Sequence, residues 1–244
     1  MTFPEYLQSR RDLLLAQTLE HATIVLTSIA LATVIGVLLA VATYRSPRAR
    51  GIVTAIAAAI LTIPSFALLG LLITPLGLGY VPAMVALTLY ALLPIIRNTV
   101  VGLTEIDPAL TEAARGIGMG RLRSLATVEI PLAWPVILAG IRVSTQMTMG
   151  IAAIAAYVGG PGLGNQIFSG LANLGGVNSL NQALVGTVGV VVLAVVVDLA
   201  LGLLGVLTRT GRPRRSAGYV RPRPLRRAST AATVATSSPT PGGP

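Results

Sequence analysis

Apolar residues occur along this chain in blocks too long for the elements of a water-soluble core. Five stretches approach the roughly 20 apolar residues that a helix needs to cross a bilayer: 21–44, 51–73, 81–96, 135–158 and 182–207. The third is short and can run on through Asn98 to Val101. Ahead of them, residues 1–20 mix Glu5, Arg10, Arg11 and Asp12 with Leu7, Leu13, Leu14 and Leu15. That pattern predicts an amphipathic segment lying on the membrane surface. It is not read as a cleaved leader, because the apolar run that follows is too long and lacks a small-residue cleavage site. Beyond the last block, 208–244 is rich in Arg, Pro, Ser and Thr with no apolar period, and predicts a disordered tail. The expected fold is all-α, with about five transmembrane helices in one domain over 21–207.

One connection breaks the pattern of short loops. Residues 102–131 are amphipathic, and Asp107 followed by Pro108 is a good N-cap and first helical residue. Leu110, Ala113, Ala114 and Ile117 then recur at helical spacing as one apolar stripe. Glu112 and Arg115 lie off it. Gly116, Gly118 and Gly120 are expected to end this helix by allowing positive φ. A second short helix, 121–130, should lead to Pro131 and the fourth span.

Composition supports the membrane reading. Only 11% of residues are charged and 53% are hydrophobic, where a soluble domain carries about 25% charged residues. The charges are arranged by loop. Arg45, Arg48 and Arg50 follow the first span, and Arg97, Arg115, Arg121 and Arg123 follow the third. Eight arginines follow the fifth, whereas 74–82 and 159–180 carry no charge. Arginine-rich loops stay in the cytoplasm, which places the N-terminus outside and the C-terminus inside, with only Arg10 and Arg11 against. The net charge of +10 is therefore a lipid-facing tail and not a nucleic-acid surface, for which aromatics, at 4%, are also too few. With no Cys and a single histidine, His21, no metal site, cofactor or nucleophile–base pair can be assembled, so the chain is not read as an enzyme. His21 is assigned to the interface at the end of the first span.

Arg142 and Asp198 are the charges set deep in the spans. Each costs about 2.5–3.5 kcal/mol at a helix centre, and counting about 1.5 Å per residue puts them at similar depths, roughly 15 and 13 Å. They are expected to pair between spans four and five. Pro64 lies mid-span and should bend the second helix. With Thr62, Ser65, Ser144, Thr145, Gln146 and Thr148 it forms a polar band; Pro64, Ser65, Ser144, Gln146 and Thr148 are the candidate translocation path. The run Gly159–Gly164 lacks a phosphate-loop pattern and reads as a tight turn into a short helix containing Ile167, Phe168 and Leu171.

The long loop also carries a gapped motif: Glu112-Ala113-Ala114, then Gly118, then Val128-Glu129-Ile130-Pro131. In residue type and spacing this resembles the cytoplasmic signature of permease subunits of bacterial type I ABC importers. The stretches Ile63-Pro64-Ser65-Phe66-Ala67-Leu68, Leu93-Pro94-Ile95-Ile96-Arg97-Asn98-Thr99 and Ile106-Asp107-Pro108-Ala109-Leu110 are similar to permeases for osmoprotectants such as glycine betaine, proline betaine, choline and carnitine. So is the segment from Gly150-Ile151-Ala152 to Gly164. The resemblance covers roughly residues 20–205, with Pro161 a departure inside the Gly-rich turn.

It implies that Glu112, Ala113, Ala114, Arg115, Gly118, Val128, Ile130 and Pro131 belong to a coupling element docked on a cytoplasmic ABC ATPase subunit. It also implies a second permease copy or paralogue, an extracellular or periplasmic solute-binding protein, and alternating access in the plasma membrane. A different cargo such as an amino acid stays open, as does, in another class, a secondary transporter. Two intramembrane charges and no inverted repeat argue against the latter.

Overall fold

The computed structural model of the protein describes residues 2–208; the expected disordered tail lies almost wholly outside the described residues. Those residues form α1 (Phe3–Ser9), α2 (Arg11–Thr43), α3 (Pro47–Thr62), α4 (Ser65–Leu76), α5 (Tyr80–Thr104), α6 (Pro108–Gly116) and α7 (Arg121–Ser124). A π-helical turn (Leu125–Glu129) then feeds α8 (Ile130–Ala155), followed by a 3₁₀ turn (Ala156–Val158), α9 (Gly164–Ala172) and α10 (Ser179–Leu207). Among the described residues, four helices can cross a membrane by length and composition, or five if the bent pair α3–α4 is one span.

The core is α5, held between α2 and α8. Ala83, Ala86, Leu87, Ala91 and Ile95 on α5 are fully buried. Two glycines set how closely the helices approach. A Cβ on Gly36 of α2 would lie 2.9 Å from Ile95 Cγ2, and one on Gly140 of α8 would lie 2.7 Å from Asn98 Cβ and 2.8 Å from the Pro94 carbonyl. Without a hydrophobic drive between helices in lipid, such small-residue crossings let dispersion hold the bundle together. By contrast α10 is only 6% buried over its most apolar stretch. Its Val and Leu residues face outward, as the absence of a polar face in its sequence requires.

One expectation is corrected and one is borne out. The amphipathic opening is not one surface segment over residues 1–20. Arg11 already begins the 33-residue α2, so Leu13–Leu15 belong to the spanning helix, and only α1 stands apart. Buried Tyr6 and Leu14 pack with Val185, and the Tyr6 hydroxyl donates to Gln166 Oε1 at 3.0 Å, tying α1 to α9. The second span bends at Pro64 as expected, and sharply. At Ile63–Pro64 the chain turns by 96°. Pro64 has no N–H to continue the ladder, Ile63 is extended with ψ 128°, and the freed Ile63 carbonyl accepts from the Tyr90 hydroxyl at 2.7 Å.

Candidate functional site

The loop between α5 and α8 forms as its sequence dictates and faces away from the core. The Asp107 side chain accepts from Ala109 N at 2.9 Å, capping α6 directly ahead of Pro108. Of the three glycines expected to end the helix, only Gly118 takes positive φ, at 83°; Gly116 closes the last helical turn and Gly120 is extended. The predicted apolar stripe does not sit on its own bundle. Ala114 alone is buried, while Leu110 is 47% exposed, Ile117 75% and Leu122 82%, with Glu112, Ala113 and Arg115 exposed beside them. In a span such exposure would simply meet lipid. Leu122 opens the helical run that continues into α8, but Leu110 and Ile117 fall on α6 and at its end, outside the spans, where exposed apolar surface needs a partner.

The second half of the motif is built differently from the expected short helix. After α7 the chain makes one π turn, with Ile130 N bonded to Leu125 O, and runs without interruption into α8. The turn delivers Glu129 to the end of α2. Glu129 is 4% exposed, and its carboxylate accepts from the Tyr44 hydroxyl at 2.6 Å, Ser124 Oγ at 3.2 Å and Arg45 Nη2 at 3.3 Å. Arg45 Nε also donates to the Tyr44 hydroxyl at 2.6 Å, its guanidinium 5.1 Å from the ring centre. Sequence reasoning missed this cluster. Glu129 occupies the motif's freely variable position, and the available signal was that an acid next to Pro131 at a span's end needs a cation.

Arg142 and Asp198 meet. Arg142 Nε donates to Asp198 Oδ1 at 2.8 Å and Nη2 to Oδ2 at 2.6 Å, a two-pronged pair between α8 and α10. The guanidinium also packs beside Gly202, where a Cβ would make only ordinary contact, at 3.7 Å. The pair separates two shallow grooves along these helices. One, of about 300 Å³, is lined by Leu138, Arg142 and Gly205; the other, of about 420 Å³, by Gln146, Gly150 and Asp198.

The candidate path residues are dispersed. Pro64 and Ser65 sit at the α3–α4 break, and Gln146 is exposed beside Asp198. Ser144 and Thr148 are fully buried instead. Ser144 Oγ donates to the Ala91 carbonyl at 2.9 Å, near the ladder gap opened by Pro94, and Thr148 donates to the Ser144 carbonyl at 2.8 Å. The Ser144 hydroxyl thus joins α8 to α5, and the Thr148 hydroxyl is satisfied within α8. His21 is corrected as well. It is 0% exposed, and its Nε2 lies 3.2 Å from the Met149 carbonyl. Gly162, at φ 116°, packs against it so tightly that a Cβ would come within 2.8 Å of the imidazole. The Gly-rich turn therefore seats α9 on α2 and α8.

Residues 32–209 match the family described as binding-protein-dependent transport system inner membrane component. The chain is 42% identical over 199 residues to the choline transport system permease protein of Bacillus subtilis, covering 82% of this chain and 90% of that one. It is 40% identical over 201 residues to the carnitine transport permease protein of Listeria monocytogenes, with coverage of 82% and 89%. With the osmoprotectant import permease protein of Salmonella typhimurium it shares 39% identity over 208 residues, with coverage of 83% and 94%. Among solved structures, a chain of the inward-facing methionine ABC transporter superposes with a TM-score of 0.71 at 24% identity, over 82% of this chain and 98% of that one. An amino acid ABC transporter chain superposes at 0.63 with 17% identity, over 86% and 98%.

Proposed function

Since this chain belongs to the family of inner membrane components of binding-protein-dependent transport systems, we propose that it is the permease through which a separate ATPase drives uptake of a betaine-, choline- or carnitine-type osmoprotectant. The cargo class rests on the relatives, which span most of both chains and carry choline, carnitine and osmoprotectant in their names. The coupling role rests on one observation: the apolar side chains Leu110 and Ile117 stand exposed on α6 and at its end, outside the spans, flanked by Glu112 and Arg115.

In this reading α6 lies in a groove of the ATPase. Ala113 permits close approach and Glu112 offers a carboxylate to a partner cation. When two ATPase subunits close on ATP, they push α6 of each of two permease subunits, and the path opens outward to a solute-binding protein. Hydrolysis reverses the movement and releases solute inward. The α3–α4 break at Pro64 is the candidate wall of that path, because interrupted helices in membranes are tolerated where they line protein or water-filled cavities.

The test is uptake by proteoliposomes holding the permease, its ATPase and its binding protein, with radiolabelled choline, carnitine and glycine betaine, and methionine as control. ATP-dependent uptake of a quaternary amine is expected, lost in Ile117→Asp and Glu112→Arg although both variants insert normally. Uptake without ATPase, or of methionine alone, overturns the reading.

A further inference from the structure

We propose that Glu129 is the positioning residue of the coupling loop: through Tyr44, Arg45 and Ser124 it clamps the π turn onto the end of α2, so that a push on α6 moves α2 and α8 together. The proposal rests on the reading of α6 as the ATPase-docking helix and adds to it how the push is distributed.

Covalent continuity explains why movement of α6 reaches α8, but not why it should reach α2, from which the loop is separated by two spans in sequence. The Glu129 cluster supplies that link. Its carboxylate is almost fully removed from solvent and holds three donors from two elements, Tyr44 and Arg45 at the end of α2 and Ser124 in α7. Charge-assisted hydrogen bonds of this kind are short and directional, and in a low-dielectric site they resist shear better than apolar contacts, which slide. Arg45 is itself fixed, by its bond to the Tyr44 hydroxyl and by the ring beneath it.

The backbone is arranged for the same purpose. A π turn inserts one residue into the helical frame, rotating everything after it by about 100° relative to a continuous α-helix. Ser124 and Glu129 are five residues apart, a spacing that would set them about 140° apart on a continuous α-helix; the extra residue of the π turn brings the Ser124 hydroxyl onto the Glu129 carboxylate. Glu129 then stands one turn ahead of Ala133, on the face that α8 continues through Ile137 and Ile141. The adjoining Val128, Ile130 and Pro131 are the residues that the motif fixes, so the clamp sits inside the signature at its unspecified position.

The experiment uses the complete transporter in proteoliposomes with glycine betaine, reading solute moved per ATP hydrolysed. Glu129→Ala is expected to lower that ratio on the order of tenfold, the scale of mutations that weaken coupling between sites. The ATPase still copurifies and hydrolyses ATP. Glu129→Gln keeps an acceptor for Tyr44 and Ser124 but loses the charge facing Arg45, and should fall between. The double variant Arg45→Ala/Glu129→Ala should be no worse than Glu129→Ala alone.

The chain has no cysteine, so spin labels at Ile117→Cys and at Ala42→Cys, an exposed position near the end of α2, report the loop-to-α2 distance without background. That distribution should be narrow in the parent and broad in Glu129→Ala. If Glu129→Ala does not fold, Tyr44→Phe, which removes one donor only, carries the same two readouts. An unchanged ratio and distance distribution overturns the clamp, as does loss of the ATPase subunit from every variant. A parent transporter that moves no solute sinks the underlying function instead.

Discussion

At the scale of single residues, polar side chains inside the bundle divide by whether their bonds are local. Ser144, Thr145 and Thr148 satisfy themselves on backbone carbonyls within one turn or across one helix contact. Burial and a lumen both call for small polar groups, so the sequence alone does not separate the two roles. The pair Arg142–Asp198 was legible, because two charges at matched depth in neighbouring apolar segments have no cheaper solution than each other. Glu129 and His21 were not, since a single acid or histidine near a span's end is equally compatible with solvent. Removing one partner of a desolvated, hydrogen-bonded pair leaves the other charge uncompensated, at a cost of about 3–5 kcal/mol when fully buried. Asp198→Asn alone should therefore reduce folded yield and lower the detergent unfolding midpoint. Arg142→Leu combined with Asp198→Leu should recover most of the loss, because apolar side chains suit this lipid-facing seam. A double variant as unstable as the sum of the singles would show that the two residues act independently.

Among the elements, α6 shows how far local chemistry determines structure. Asp107, Pro108 and Gly118 set its start and finish, and each does so by a conformational preference that needs no tertiary partner. The 96° turn at Pro64 was legible only in part. A proline marks where the ladder fails, but the size of the bend depends on the Tyr90 hydroxyl capping Ile63 from another helix. The π turn had no local signature at all; it brings Ser124 and Glu129, five residues apart, onto one side of the helix. Gly118 gives a test confined to backbone conformation. Nothing lies within 4 Å of a Cβ placed there, so any defect must come from φ 83° and not from collision. The left-handed region costs a residue with a Cβ roughly 1–2 kcal/mol, least for Asn and Asp. Gly118→Val should therefore depress solute-stimulated ATP hydrolysis while Gly118→Asn retains most of it. Equal activity of the two would remove any need for the left-handed turn in coupling.

For the whole molecule, the structure fixes which segments share an end of the bundle, and the charge pattern then predicts which end is inside. Tyr6 and Gln17 both bond Gln166, so α1, the start of α2 and α9 lie together at the end whose loops, 74–82 and 159–180, are uncharged. Glu129 joins the finish of α2 to the start of α8, so Arg45, Arg48, Arg50, Arg115, Arg121 and Arg123 gather at the opposite end with α6. Basic loops are retained in the cytoplasm, and the two exceptions, Arg10 and Arg11, are partly offset by neighbouring Glu5 and Asp12, with Arg11 Nε 3.4 Å from Asp12. The sidedness can be read from single cysteines in this cysteine-free chain. Val177 is 89% exposed and Leu122 is 82% exposed, so a difference in labelling between them reports location and not burial. A membrane-impermeant maleimide added to intact cells should modify Val177→Cys, and Leu122→Cys only after permeabilisation. The reverse result would place Glu112 and its exposed apolar neighbours outside the cell, beyond the reach of any ATPase.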